Sequence, residues 1–277
     1  MLTLQALILQ NKGVKREPKP NNGLHIYDTL ERKVLPITAS DGQVVRIYCC
    51  GPTVYRDAHV GNLRTFLLSD LVRRTLEFSG LKVKMVQNIT DVGHMSEDFE
   101  EDKMLAQSKL EKRDPYSIAR EYEEKFHKDL ARLNILPAHN YPRASECIEM
   151  MLEHIAKLTE LELAYQGDDS SIYFDSTKFD SYGQLSGNRL DALKPGHRYE
   201  YVEAGAKRFH ADWALWKAAG NRKEMIWQTT YGPGFLAGIL NVLLCRFTIC
   251  KDMSIYILVV LILDSPIMKT REPNQIL

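Results

Sequence analysis

The run Val44-Val45-Arg46-Ile47-Tyr48-Cys49-Cys50-Gly51-Pro52, with His59-Val60-Gly61-Asn62 shortly after it, decides how this chain is read. Residues 44–50 form an apolar, β-branched run closed by the turn pair Gly51-Pro52, the pattern of a buried strand. Beyond it, Val60, Leu63, Leu67, Leu68, Leu71, Val72 and Leu76 recur at helical spacing, and Gly80 stands where a helix C-terminus favours glycine. Lys82-Val83-Lys84-Met85-Val86 then reads as a second short strand. Strand, helix, strand within about forty residues is a βαβ unit, which predicts a Rossmann-like parallel sheet in an α/β fold.

This arrangement puts a thiol, Cys50, at the C-terminal end of a strand and a His-x-Gly-Asn tetrad at the mouth of the following helix. Open α/β sheets bind ligands at those strand ends. A helix N-terminus presents unpaired N–H groups and the positive end of a dipole, so a phosphate is a natural guest. His59 and Asn62, three apart, can aim at one phosphate, and Gly61 lets a nucleotide approach the backbone. A tetrad of this kind also arises by chance, so spacing alone stops at a nucleotide-binding α/β domain, with Gly51, His59, Gly61 and Asn62 as candidate nucleotide contacts.

Working outward, residues 1–23 are rich in Lys, Pro and Asn and read as a flexible arm. Residues 24–113 hold the first half of the nucleotide-binding domain. Asp114-Pro115 is a helix start, with Ile118, Tyr122, Phe126, Leu130 and Leu133 as its apolar stripe. A further helix from about Ser145, with Ile148, Leu152, Ile155 and Leu158 inward, and a strand at Ser171–Phe174 fall in an insertion assigned to 114–198. Residues 199–235 are read as the return to the catalytic domain.

Composition supports a globular chain, with 44% hydrophobic and 26% charged residues. The 36 basic and 36 acidic residues cancel, so no global positive field points to nucleic acid, although a local basic face would suffice. Five cysteines, an odd number, make no disulfide framework and fit a reducing compartment. The expectation is the cytoplasm, with an organelle kept open. From residue 236 the chain becomes generically apolar, but Arg246, Lys251 and Asp252 interrupt it, so a soluble tail is preferred to a membrane span.

Several spaced motifs resemble cysteinyl-tRNA synthetases, a class I aminoacyl-tRNA synthetase family. They begin with Tyr48 to Tyr55 and His59 to Thr65, where His59-Val60-Gly61-Asn62 is similar to the family's HIGH signature with Asn in place of the second His. They continue through Asn88-Ile89-Thr90-Asp91-Val92-Gly93-His94-Met95, Glu101 to Met104, Leu133 to Pro137, Ile172 to Asp175 and Asp212 to Lys217. The resemblance runs from about Leu24 to Phe235 and implies a class I synthetase fold with a helical and mixed insertion.

It implies a ligase that activates cysteine with ATP and Mg²⁺ and passes it to tRNA(Cys). His59 and Asn62 would stabilise charge on the α-phosphate. Cys50 would be one of four ligands to a zinc ion that binds the substrate thiolate, a soft-ligand choice that separates cysteine from serine. Thr90 would line the cysteine pocket. The bland readings stand beside these: Cys50 as a buried structural thiol, Thr90 as a strand-ending residue, and Trp213 and Trp216 as packing groups. A related ligase joining cysteine to an amino sugar shares the opening motifs, and a non-catalytic fragment of the fold is the other alternative.

The resemblance stops after Phe235. The family continues Pro-Gly-Trp-His-Ile-Glu-Cys, whereas this chain reads Leu236-Ala237-Gly238-Ile239-Leu240. The second zinc cysteine, the downstream His and Glu ligands and the Lys-Met-Ser-Lys-Ser loop are missing, and Cys245 and Cys250 lie in no matching motif. The expectation is a C-terminally truncated, weakly active or inactive chain whose residues 236–277 read like a translated intron.

Overall fold

The structure is a computed structural model that describes residues 24–37 except Leu30, 44–92, 102–182 except Ser181, 206–236, and the backbone of 255–258. Two short strands open it, β1 (His25–Asp28) and β2 (Lys33–Pro36), paired antiparallel. Then come β3 (Val44–Cys49), α1 (Val60–Phe78) and β4 (Lys82–Gln87), followed by α2 (Lys103–Glu111), α3 (Pro115–Arg132) and α4 (Ile148–Glu160). Strands β5 (Ala164–Gln166), β6 (Ile172–Phe174), β7 (Trp213–Ala218), β8 (Gly234–Leu236) and β9 (Ile255–Leu258) complete the described elements.

The expected βαβ unit is present. β3 pairs in parallel with β4, register Val44 to Lys82 through Cys49 to Gln87, and in parallel with β9 on its other side. An irregular stretch extends the sheet beyond β4. His139 N–H donates to Met85 O at 2.9 Å, Gln87 N–H to Asn140 O at 3.0 Å and Ile89 N–H to Pro142 O at 2.8 Å. Pro142 has no N–H to return, so the stretch covers the edge without becoming a regular strand.

Helix α1 buries only part of the apolar set whose spacing identified it, with Leu76 inside and Leu63 and Val72 packed partly buried on the core. Val60, Leu67, Leu68 and Leu71 are exposed, while Thr65, Phe66, Ser69, Asp70 and Leu76 are buried. The inward face is polar because each group finds a partner, as buried polar atoms must. Ser69 Oγ lies 3.1 Å from Cys49 Sγ, and Asp70 accepts from Arg74 at 2.6 Å and from the Leu136 N–H at 3.0 Å. Arg73 and Arg74 also donate to the Pro137 and Asn134 carbonyls, which latches residues 134–137 onto α1. At the far end Gly80 adopts φ 86°, and the Leu81 and Gly80 amides close onto Leu76 and Glu77.

Helix α3 starts as expected, with Asp114 capping the Ser117 amide at 2.7 Å and Pro115 in the first turn. Its buried face is Ile118, Ala119, Phe126 and Leu130, whereas Leu133 is exposed. That face packs into the same core as β3 and β4. A second core gathers Ile148, Met151 and Ile155 of α4 with Ile172, Phe174, Leu215, Trp216 and Leu236.

Helix α3, which the expected division places in the insertion, packs its apolar face into the core of the parallel sheet. The described part of 199–235, assigned to the catalytic return, supplies β7 and β8 to an antiparallel sheet ordered β5-β6-β7-β8. Trp216 is fully buried and Trp213 stacks on Phe174 at 4.4 Å, so both are packing groups. The arm at 1–23 and all of the apolar tail except Leu236 and the β9 backbone lie outside the described residues, as do His94, Cys245 and Cys250. Among the described residues no helix is long and apolar enough to cross a membrane.

Candidate functional site

β3 delivers two cysteines to opposite environments. Cys49 is fully buried against α1, and desolvation pushes its thiol up to about 12 despite the Ser69 hydroxyl beside it. Cys50, the residue after the strand, is half-buried at the start of the turn. Burial also raises its pKa, and a hydrogen bond with the Tyr48 side chain partly offsets that.

The turn 51–54 is sewn to the segment that follows β4. The Thr90 amide donates to Pro52 O at 3.0 Å, and Val54 N–H donates to Thr90 O at 3.1 Å. Thr53 and Thr90 are bridge partners. Gly51 admits no side chain, since a Cβ there would stand 1.6 Å from the Asn88 carbonyl oxygen. Close backbone crossing is what this glycine permits. Cys50, Gly51 and Thr90, singled out by sequence, thus converge on one turn.

His59 and Asn62 engage each other. His59 is the N-cap of α1, and its Nδ1 accepts from the Gly61 and Asn62 amides at 3.1 and 3.3 Å. Asn62 Oδ1 accepts from the His59 N–H at 3.2 Å, closing a reciprocal capping box. Backbone N–H groups can only donate, so the neutral ring carries its proton on Nε2. Gly61 makes room for that ring: a Cβ would meet His59 Cε1 at 2.9 Å. The spacing suggested two side chains aimed at one ligand, whereas here Asn62 Oδ1 is occupied in holding His59. The imidazole is exposed and its Nδ1 faces the helix.

Sequence reasoning missed the groups that support this turn. Asp91 is fully buried and accepts from the Ser145 amide and hydroxyl at 2.9 and 2.7 Å and from Arg120 at 3.0 Å. Arg120 also bonds Glu123 at 2.8 Å, and Glu123 takes Arg143 Nε at 2.9 Å. Burial alone would raise the Glu123 pKa, but the Arg143 and Arg120 guanidiniums outweigh it and hold the carboxyl below its usual range. The only available signal was the polar residues themselves, and their partners lie too far along the chain to be paired by pattern.

Cys50 was expected to ligate zinc. Among the described residues, no three of His, Cys, Asp and Glu converge where they could hold a metal ion. A zinc site needs three protein ligands plus substrate, or four. The described residues therefore do not fit the ion.

Comparison with known proteins reaches the same region of the chain. The family described as tRNA synthetases class I (C) catalytic domain matches residues 36–238. The cysteine-tRNA ligase of Thermus thermophilus is 41% identical over 215 residues, which cover 77% of this chain and 44% of that one. The cysteine-tRNA ligase of Deinococcus radiodurans is 38% identical over 222 residues, 79% of this chain and 44% of the relative. This chain thus spans under half the length of the curated relatives it matches. Among solved structures, Mycobacterium tuberculosis methionyl-tRNA synthetase in complex with methionyl-adenylate aligns over 82% of this chain and 49% of its own, with TM-score 0.53 and 12% identity. At that identity the likeness is one of fold, and it agrees with a class I synthetase α/β architecture.

Proposed function

Because the chain belongs to the family of class I (C) tRNA synthetase catalytic domains, we propose that it carries the nucleotide and amino-acid half of a cysteine-tRNA ligase site. In that reaction the cysteine carboxylate attacks the α-phosphate of ATP, giving cysteinyl-adenylate and pyrophosphate. The acyl group then passes to the terminal ribose of tRNA(Cys). Mg²⁺ accompanies ATP, and the site of action is the cytoplasm.

The observation that carries this reading is the capped His59. Its ring is fixed by two backbone amides, so Nε2–H is the donor left for a phosphate oxygen at the helix mouth. Such a preorganised donor stabilises the charge that builds on phosphorus. Gly61 permits the ring's position, and Asn62 holds it through the His59 backbone amide. Gly51 brings the turn close to the nucleotide, and Cys50 and Thr90 form the cysteine side. Selection of the substrate thiolate by zinc has no support among the described residues, where three ligands do not converge.

Calorimetric titration of the purified chain with ATP and with cysteine tests the proposal. We expect both to bind and His59→Ala to weaken ATP at least tenfold. Cysteine-dependent exchange of pyrophosphate into ATP is expected to be weak, because three zinc ligands do not converge among the described residues. Failure of the chain to bind either ligand would overturn the reading.

A further inference from the structure

Asn88 follows β4 and is 1% exposed, yet nothing in the sequence pattern assigns it a task. Its side chain makes three hydrogen bonds. Oδ1 accepts from the Gly51 N–H at 2.9 Å and from the Tyr48 hydroxyl at 2.7 Å. Nδ2 donates to Thr90 Oγ1 at 3.1 Å. The Gly51 amide is a donor only, so it fixes which end of the carboxamide faces it. The rest of the network then has one direction. Tyr48 gives its one hydroxyl proton to Asn88, and Thr90 Oγ1 must accept from Asn88.

One buried amide therefore touches the turn glycine, the Tyr48 hydroxyl and Thr90 itself. We propose that Asn88 is the positioning residue of the amino-acid side of the site, setting Cys50, through the Gly51 amide that follows it, and Thr90 in one mutual arrangement. This rests on the reading of Cys50 and Thr90 as cysteine-binding. Aspartate cannot substitute: it keeps the acceptor for Gly51 and Tyr48, loses the donor to Thr90 and buries a charge. An apolar residue would leave the Gly51 amide and the Tyr48 hydroxyl without this partner.

The test is titration of the full chain with cysteine and with ATP, comparing wild type with Asn88→Ala. We expect cysteine affinity to fall at least tenfold and ATP affinity to stay within twofold. A residue that only supports the fold would move both ligands together. Parallel loss of both, or no loss of either, overturns the proposal. If Asn88→Ala does not fold, Tyr48→Phe and Thr90→Val, which each remove one arm, repeat the test. Each is expected to weaken cysteine at least threefold with ATP unchanged, and an equal effect on both ligands counts against the proposal. A wild-type chain that binds neither ligand sinks the proposed function instead. Asn88 is then judged by hydrogen exchange at the Gly51 amide. Exchange at least tenfold faster in Asn88→Ala, with α3 amides unaffected, upholds the positioning role, and unchanged exchange overturns it.

Discussion

The Asp102 carboxylate and the Arg222 guanidinium meet at 3.1 Å with side chains only 1% and 8% exposed, joining positions 120 residues apart. Asp102 also caps the first turn of α2 through the Met104 amide at 2.8 Å. Arg222 also lies 4.0 Å over the Phe235 ring of β8. One buried ion pair thus ties the core of the parallel sheet to the antiparallel one. Removing one partner of such a pair strands the other charge, at about 3–5 kcal/mol. Arg222→Ala should lower unfolding free energy by about 3 kcal/mol or more in urea titration. A loss below about 1 kcal/mol would show that the carboxylate finds water or another partner.

At the mouth of α1, capping and chemistry can be separated at one position. Asparagine is a good N-cap but has no imidazole. His59→Asn should therefore keep unfolding free energy within about 0.5 kcal/mol while weakening ATP at least tenfold. His59→Ala should lose both, with about 1 kcal/mol of stability. If ATP affinity survives in His59→Asn, the ring is only a cap.

Gly51 offers a sharper steric test. An added methyl group would overlap the Asn88 carbonyl, so Gly51→Ala must push the turn away from residues 88–90. We expect a loss of about 1–3 kcal/mol in denaturant and loss of cysteine binding, measured on the same preparation. Unchanged thermal melting would show that the two backbones separate without resistance.

Stability should fall with acid in two windows. The Glu123 pKa is depressed in the fold, so its contribution is present above its ordinary value of 4.5 and is lost as pH falls through the lower folded value. His127, 3.9 Å from Glu123, is instead a base whose pKa burial lowers below its ordinary 6.5. The unfolded chain therefore takes up that proton first, and stability begins to decline as pH drops below about 6.5. Arg120 and Arg143 are the cations facing the carboxylate. Chemical denaturation from pH 7 to 3 should show both declines in wild type. Glu123→Gln should flatten the lower one, and His127→Phe the upper one. A Glu123→Gln profile that retains the steep fall below pH 4.5 would assign that fall to other carboxylates.

The parallel sheet was legible because its signals are local. A strand ended by Gly-Pro, a 3.6-residue period and a terminal Gly80 need no knowledge of distant chain. So was the convergence of Cys50, Gly51 and Thr90, through their resemblance to a known family. What stayed hidden depends on partners far along the chain. Ser69 and Asp70 read as surface residues of α1 until Cys49 and the Leu136 amide are set beside them. Helix α3 carries the same stripe whichever core it faces, so periodicity could not show that it joins β3 and β4. Likewise the residues of β7 and β8 read only as a return to the catalytic domain, because the strands they join, β5 and β6, lie far back along the chain. The His59–Asn62 reciprocity was in principle readable as a cap, but the suggestion of a shared phosphate hid it.

The central strand of the parallel sheet has neighbours made at very different times. β4 follows β3 after one helix, whereas the other flank, Arg46 beside Ile255, must wait for a strand that lies about two hundred residues further along the chain. Until then β3 presents a bare row of amides and carbonyls along one side, able to pair with any nascent strand nearby. Late closure of this kind makes the yield of folded protein sensitive to translation speed and to chaperone supply.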